Sequence, residues 1–141
     1  MMELAAALDF IRSRQNGVLT TLKRDGRPQL SNITYHLGDD GIVRISVTDG
    51  RAKTNNIRRD NRVSLYVSQE DFWAYVVIEA EADLSPVSAA PDDATVDELV
   101  DYYRSLAGEH PDWDDYRRVM VSDRRLVVRL RPTGAYGMLG G

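Results

Sequence analysis

The sequence contains no cysteine and only two histidines, His36 and His110. The missing cysteines exclude disulfides, thiol nucleophiles and thiolate metal sites. The two histidines lie far apart, and neither has an acidic residue at the spacing of a metal-binding motif, so we expect no metal site. His36 falls on a predicted strand beside Tyr35, where a hydrogen-bonded structural histidine is favoured over a ligand.

The sequence also lacks any long apolar run. The longest, residues 72–78, covers seven residues, whereas a membrane-spanning helix needs about 20. The N-terminus carries the acids Glu3 and Asp9 where a secretory signal needs basic residues. A hydrophobic content of 43% is ordinary for a globular chain. We therefore expect a cytoplasmic protein with no membrane partner, folded as a single domain over residues 1–141.

Common catalytic and nucleotide-binding signatures are absent as well. No GxGxxG follows a predicted strand, and no P-loop pattern is present. Spacing suggests no Ser-His-acid set, so no catalytic residue is assigned. The net charge of −4 argues against general nucleic-acid binding. A protein with so little acid–base machinery can still catalyse a reaction if a cofactor carries the chemistry.

What the sequence does contain is a local concentration of positive charge. Residues 51–62 include five basic residues and one acid, a net charge of +4. The segment follows Gly50 and should begin a helix, whose unpaired N–H groups and dipole favour a phosphate. Arg51, Lys53 and the Thr54 hydroxyl add donors at that end. On charge alone, a solvated amphipathic helix is an equally weighted interpretation.

Apolar periodicity predicts a mostly β protein with flanking helices. The predicted helices are 3–14, 53–60, 93–107 and 113–121, the third with a capping box at 95–98. The predicted strands are 18–22, 29–37, 42–47, 63–67, 73–84 and 126–130, and a glycine-rich tail follows from 132. The third and fourth helices lie in an acidic flank, residues 92–115, with nine acids and one arginine. We expect these acids to be solvated.

A polar stretch begins the second predicted strand. Pro28 lacks an N–H, and small polar residues follow it on a strand that is otherwise apolar. Such a segment can present backbone and amide groups to the polar edge of a flat heterocycle. Taken alone, an ordinary polar strand face is given equal weight.

Several segments together resemble the split β-barrel flavin and deazaflavin oxidoreductases, the PPOX class of pyridoxamine 5′-phosphate oxidase-like proteins. The segments that carry the resemblance are 17–21, 25–32, 51–60, 73–75, 90–93, 107–110 and 112–116. The similarity is closest to the actinobacterial branch that uses the deazaflavin coenzyme F420. It implies a six-stranded antiparallel split β-barrel of the FMN-binding type, and a homodimer with two cofactor sites at the subunit boundary.

The resemblance also implies the cofactor-binding residues. Those that would hold the cofactor phosphate are Arg51, Lys53, Thr54 and Asn56. Those that would line the ring are Pro28, Gln29, Leu30 and Ser31. Trp73 and Tyr75 match positions that line the site from the partner subunit. Asn55 replaces a position that is often basic in similar sequences, which bears on the acidic polyglutamate tail of F420.

These features lead to one hypothesis and two alternatives. The hypothesis is an F420-dependent oxidoreductase that passes a hydride between reduced F420 and a small organic acceptor, with the protein supplying orientation and exclusion of water. The first alternative is an FMN-dependent oxidoreductase of the same fold. The second is a non-enzymatic carrier that binds flavin or F420 without turnover.

Overall fold

The computed structural model describes residues 2–140. In this range the helices are α1 (Leu4–Arg12), α2 (Ala52–Arg59), α3 (Ala94–Ala107) and α4 (Trp113–Ser122). The strands are β1 (Asn16–Leu22), β2 (Pro28–Thr34), β3 (His36–Leu37), β4 (Val43–Thr48), β5 (Arg62–Ser68), β6 (Tyr75–Leu84) and β7 (Arg125–Met138). Each predicted helix is confirmed, with its ends within two residues of the expected positions.

The strands of the described residues form one antiparallel sheet in the order β2-β1-β5-β6-β7-β4-β3. The two edge strands, β2 and β3, are separated in the chain only by Tyr35. Both edges of the sheet therefore meet at this residue, and the sheet curls into the predicted split barrel. The strand predicted at 29–37 is observed as two strands, which is why the sheet has seven strands in place of six.

Tyr35 marks the bend because its side chain turns into the core. It is fully buried, and its hydroxyl donates to the Ile11 carbonyl of α1 at 2.6 Å. Its backbone N–H donates to the Gln15 carbonyl at 2.8 Å, which continues the pairing with β1. β1 and β2 form a hairpin, and Gly26 in its turn has a φ of +88°, a left-handed conformation that glycine adopts without strain.

Alternating side chains build the barrel core. On β5, Val63, Leu65 and Val67 are buried, while the residues between them are partly exposed. On β6, Glu79 and Glu81 are exposed on the outer face, and the residues that flank them are buried. The first two helices pack into the same core through Ala7 and Ile11 of α1 and Ile57 of α2.

The last two helices cover the outer face of β7 and form a second, smaller core around Val127. An ion-pair network attaches α3 to the sheet, because Glu98 accepts hydrogen bonds from Arg44 of β4 and Arg129 of β7, each Nε at 2.9 Å. Glu98 is thus one acid of the acidic flank that is not simply solvated. No helix of residues 2–140 is both long and apolar enough to cross a membrane.

A different part of the sheet surface is left without a helix. On the outer face of β2, β1, β5, β6 and the end of β7, several large apolar side chains are exposed. They are Leu30, Tyr136 and Met138, joined at the edge by Phe72, Trp73 and Leu139. We call this set the open apolar face. Exposed apolar residues grouped in this way are typical of a binding surface.

Two sequence expectations are wrong. The capping box at 95–98 is not formed, since Asp93 caps α3 by accepting from the Val96 N–H at 2.8 Å. Thr95 instead donates its hydroxyl to the Pro86 carbonyl at 2.9 Å. The expected glycine-rich tail from 132 is largely strand, because β7 continues to Met138 and pairs along the full length of β6.

Candidate functional site

The start of α2 stands next to the end of β4. Its N-cap residue, Arg51, makes no side-chain capping bond, and the first N–H groups of the helix have no side-chain partner within the described part of the chain. The Arg51 Nε reaches the Thr48 hydroxyl at 3.3 Å. The predicted positive helix start is therefore present, and it faces the space beside β4.

That space is a cleft of about 530 Å³, which we call the cation cleft. It lies between the start of α2, the ends of β2 and β4, and helices α3 and α4. Three cations, Arg51, Lys53 and Arg125, belong to its lining. Three tyrosines line it as well, and they are Tyr102, Tyr103 and Tyr116. Positive charge beside aromatic surface suits an anionic ligand with an apolar part.

The cations of the cleft are poorly neutralised. Burial lowers the pKa of Lys53 below its ordinary value, and the charges of Arg51 and then Arg125 lower it further. Among the described residues, neither Arg51 nor Lys53 has an acid within ion-pair distance. Asp49, close in sequence, is already bound by Arg58 and Arg124. Like charges held together without a counterion favour the binding of an anion.

Two other residues predicted for the phosphate point elsewhere. Thr54 is fully buried and its hydroxyl donates to the Thr48 carbonyl at 2.8 Å. Asn56 is buried as well, and its Nδ2 donates to the Thr21 hydroxyl at 3.1 Å. Both side chains anchor α2 to the sheet, and neither belongs to the lining of the cation cleft.

The Asn56 contact continues into the strand predicted to line the ring. The Thr21 hydroxyl donates to Gln29 Oε1 at 3.0 Å, and Gln29 Nε2 donates to Ser31 Oγ at 3.0 Å. A polar network thus joins α2, β1 and β2, and it contains three of the predicted residues. Thr21, at its centre, was missed by the sequence analysis, although it occupies an inward position of a predicted strand.

One edge of β2 pairs with no other strand of residues 2–140, although the carbonyls of Leu30 and Thr34 on that edge accept hydrogen bonds from side chains. Tyr35 N–H donates to the Gln15 carbonyl and Lys23 N–H donates to the Arg27 carbonyl, so the odd-numbered residues of β2 direct their backbone groups toward β1. Because the pairing alternates, Leu30 and Asn32 direct their backbone groups away from β1. Pro28 belongs to the same set, and its missing N–H costs no sheet bond there.

A second cleft, the outer cleft, lies on the outer side of β2 and also has a volume of about 530 Å³. It shares the 32–34 backbone segment with the cation cleft, so the two adjoin across β2. Tyr66 and Phe72 line it, and Tyr75 packs on Tyr66 with ring centroids 5.6 Å apart. The predicted ring residues 28–31 precede the shared segment on the same strand.

Trp73 lies outside both linings and is 76% exposed. Its position at the edge of the open apolar face leaves it accessible to another molecule. Tyr75 likewise lines neither cleft directly. Within one chain, the structure therefore gathers Arg51 and Lys53 at the cation cleft and leaves Trp73 at the surface.

Two further residues of the cation cleft were missed by the sequence analysis. Tyr102 of α3 donates its hydroxyl to the Thr34 carbonyl of β2 at 2.6 Å, and burial raises its pKa, which keeps the proton on that hydroxyl. Arg125 begins β7 and pairs with Thr48 of β4. Neither has a local sequence signal, because both reach the cleft through long-range packing. Within residues 2–140, no group of three or more metal-binding side chains is found.

Comparison with known proteins agrees with this architecture. Residues 4–138 match the pyridoxamine 5′-phosphate oxidase family. A conserved hypothetical protein from Mycobacterium tuberculosis has a TM-score of 0.74 at 22% identity, over 99% of this chain and 86% of that chain. An F420 reductase has a TM-score of 0.66 at 23% identity, over 96% and 98%. The heme storage protein HutZ from Vibrio cholerae has a TM-score of 0.71 at 15% identity, over 99% and 98%. These structures share the fold, and the match over nearly the whole sequence shows that the chain belongs to the pyridoxamine 5′-phosphate oxidase family.

Proposed function

We propose that this protein is an F420-dependent oxidoreductase that transfers a hydride between reduced F420 and a small organic acceptor. One observation carries the proposal: the cation cleft adjoins the outer cleft across the unpaired edge of β2. An elongated ligand with an anionic end and a flat polar ring fits such a pair of clefts. The fold shared with an F420 reductase supports this choice.

The residues of the chain divide the binding task between the two clefts. Arg51 and Lys53 would hold the phosphate in the cation cleft by charge-assisted hydrogen bonds. The outward backbone groups of Leu30 and Asn32 would meet the polar edge of the ring, and Pro28 would leave that edge without a competing donor. The deazaflavin would supply the hydride chemistry, while the protein orients it and excludes water.

Four of the predicted residues would contribute by holding the start of α2 and the β2 edge in place. They are Gln29, Ser31, Thr54 and Asn56. Their side chains bond within the network that joins α2 to β2, or to the Thr48 carbonyl. These bonds connect α2 to β1, β2 and β4, and so fix the position of the helix start relative to the β2 edge. Such preorganisation lowers the cost of ordering the site when the cofactor binds.

We further propose that the protein works as a homodimer in the cytoplasm. A second copy would cover the open apolar face and would bring its own Trp73 and Tyr75 to the outer cleft. Trp73 is exposed in the single chain. Exposed aromatic residues are enriched at protein–protein interfaces, so this exposure supports a partner surface at Trp73. The cofactor sites would then be completed at the subunit boundary.

FMN is the second candidate cofactor. The grouping of three cations in the cleft favours it, because a phosphomonoester carries up to two negative charges. An FMN-dependent oxidoreductase would use the same clefts and the same β2 edge. A carrier without turnover would use them also, and it differs from both enzymes only in the absence of a reaction.

Direct titration distinguishes these proposals. Purified protein is titrated with F420 and with FMN, following the fluorescence of each cofactor, and reduced F420 is then mixed with candidate acceptors. Tight F420 binding with acceptor-dependent oxidation supports the proposed function. Preference for FMN supports the second candidate, and F420 binding without turnover on any acceptor supports the carrier. Arg62→Ala is the control for losing a positive charge outside the cation cleft, since Arg62 is exposed and pairs with Asp60.

A further inference from the structure

We propose that Arg125 is a third anion-binding residue of the cation cleft, and that with Arg51 and Lys53 it holds ligand groups carrying at least two negative charges. This inference deepens the proposed function and rests on it for the identity of the ligand. The shared chemistry is that of a phosphomonoester dianion, or of a phosphodiester with a carboxylate close to it. Arg125 has no role in the resemblance on which the other site residues depend.

The backbone of Arg125 is held firmly at the edge of the cleft. It pairs with Thr48, the residue whose hydroxyl lies against Arg51. Its carbonyl accepts two hydrogen bonds from Ser88, from the N–H at 2.8 Å and from the hydroxyl at 2.7 Å. The guanidinium is therefore presented from a fixed position on the same side as Arg51 and Lys53.

The guanidinium itself is incompletely bonded. Its Nε is buried, yet has no hydrogen-bond partner among the described residues. One terminal nitrogen lies 3.4 Å from Ser46 Oγ, a long contact for a charged donor. Asp123 lies 3.9 Å from the Nε, which is too far for a hydrogen bond. Among the described residues the terminal nitrogens make no shorter contact, so their donors remain available to an anion in the cleft that Arg125 lines.

The charge balance of the cleft indicates the charge of the ligand. Of the residues that the structure describes, three cations and no acid line the cleft. The carboxylate of Asp123 approaches Arg125 from outside the lining and offsets one charge. Two positive charges then remain for the ligand to neutralise. A neutral or singly charged group would leave like charges facing one another in a partly buried space.

Arg125→Gln and Arg125→Lys test the proposal, with Arg124→Gln as the matched control. Arg124 is the neighbouring residue, but its guanidinium is bound to Asp49. Inorganic phosphate, FMN and F420 serve as separate probes. We expect Arg125→Gln to weaken each ligand that the wild type binds by roughly tenfold to a hundredfold. Arg125→Lys should recover part of the affinity, because it keeps the charge and loses the planar fork of guanidinium donors.

NMR of the wild-type protein gives a reading that does not depend on a variant folding correctly. The buried Nε–H of Arg125 should give an arginine side-chain resonance, and added phosphate should shift it while the resonance of Arg124 stays in place. Thermal unfolding of each variant shows whether its fold is retained.

The outcomes separate this inference from the proposed function. If phosphate binds through Arg125 while neither cofactor binds, the inference stands and the proposed function fails. If a cofactor binds equally well to the wild type and to Arg125→Gln, the inference is overturned and the proposed function is unaffected. A phosphate titration that leaves the Arg125 resonance unmoved also overturns the inference.

Discussion

At the scale of single residues, the chemistry of the site depends on Arg51 and Lys53, two cations of the cleft that pair with no acid among residues 2–140. Lys53 is the clearest case, because its pKa is lowered by burial and by two neighbouring arginines. Most other arginines near α2 are occupied, since Arg58 binds Asp49 and Arg59 donates to the Leu22 carbonyl at 2.6 Å. Arg58 and Arg59 therefore stabilise the fold, whereas Arg51 and Lys53 remain available to bind a ligand.

Loss of Lys53 should weaken cofactor binding without unfolding the protein. Lys53→Ala removes a charge-assisted contact, which we expect to cost about 1.5–3 kcal/mol of binding, or about tenfold to a hundredfold in affinity. Fluorescence titration with F420 or FMN measures the change, and affinity should also fall as salt rises. Arg59→Ala is the comparison, since Arg59 bonds to β1. If only Arg59→Ala weakened binding, the phosphate site would lie elsewhere.

The lowered pKa of Lys53 predicts a pH dependence of binding. A bound anion favours the charged amine, so the pKa of Lys53 is higher in the complex than in the free protein. Affinity is then complete below the free-state pKa and falls as pH rises through it, starting below the ordinary lysine value of 10.5. Titrations from neutral to alkaline pH measure this fall. Lys53→Arg should abolish it, because arginine keeps its charge throughout.

At the scale of elements, the site depends on how α2, β2 and α3 are held to the barrel. Thr21 joins the first two, since its hydroxyl accepts from Asn56 and donates to Gln29. Glu98 holds the third through two arginines. Each is a point at which one substitution alters the relation between two elements.

Thr21→Val should destabilise the fold by about 1–3 kcal/mol, because it leaves a buried amide donor and an amide acceptor without their partner. The side chain keeps its shape, so the loss reports the hydroxyl alone. Urea unfolding measures the change in the free energy of unfolding. Thr20→Val is the matched control, as Thr20 lies on the outer face of the same strand, and equal losses in the two variants would rule out the network as the cause.

Glu98 should make stability depend on acid pH. Burial opposes its charge, but hydrogen bonds from Arg129 and Arg44 outweigh burial, and the pKa of Glu98 is lowered from 4.5. Its contribution is complete above the unfolded value and disappears as pH falls through the lower folded value. At pH 7, Glu98→Gln should cost about 1–3 kcal/mol, and its difference from the wild type should shrink in acid.

Urea unfolding at several pH values tests this expectation, with Asp97→Asn as the control. Asp97 lies on the same helix and pairs with Arg117, but its side chain is 60% exposed. Exposed pairs contribute about 0–1 kcal/mol. A wild-type advantage over Glu98→Gln that stays constant down to strong acid would contradict the assignment.

At the scale of the whole molecule, the open apolar face predicts association. We expect a dimer that buries more than about 1,000 Å², and Met138→Arg should dissociate it, because a charge would be placed where 60% of an apolar side chain is now exposed. Sedimentation velocity at micromolar concentration measures the state. Val119→Arg is the control, since Val119 is an exposed apolar residue on α4. A wild-type monomer under these conditions would contradict the homodimer.

The helices of the whole molecule are predicted by the sequence better than the ends of its strands. Periodicity and turn residues are local properties, and they predict the ends of the helices to within two residues. Strand ends are not predicted by local properties where pairing with a distant strand decides them. The bend at Tyr35 depends on the Ile11 carbonyl, and the extension of β7 to Met138 depends on the length of β6. Both partners are distant in sequence.

For the site, the sequence by itself determined that positive charge collects at one helix start and that a polar strand begins at Pro28. Charge and the lack of an N–H are properties of individual residues, so they do not depend on packing. Only the tertiary structure decided which donors remain available. It turns Thr54 and Asn56 inward, and it brings Arg125 and Tyr102 to the cleft. Whether a polar group is bonded or free depends on neighbours contributed by other strands and helices, and those neighbours are set by packing and register.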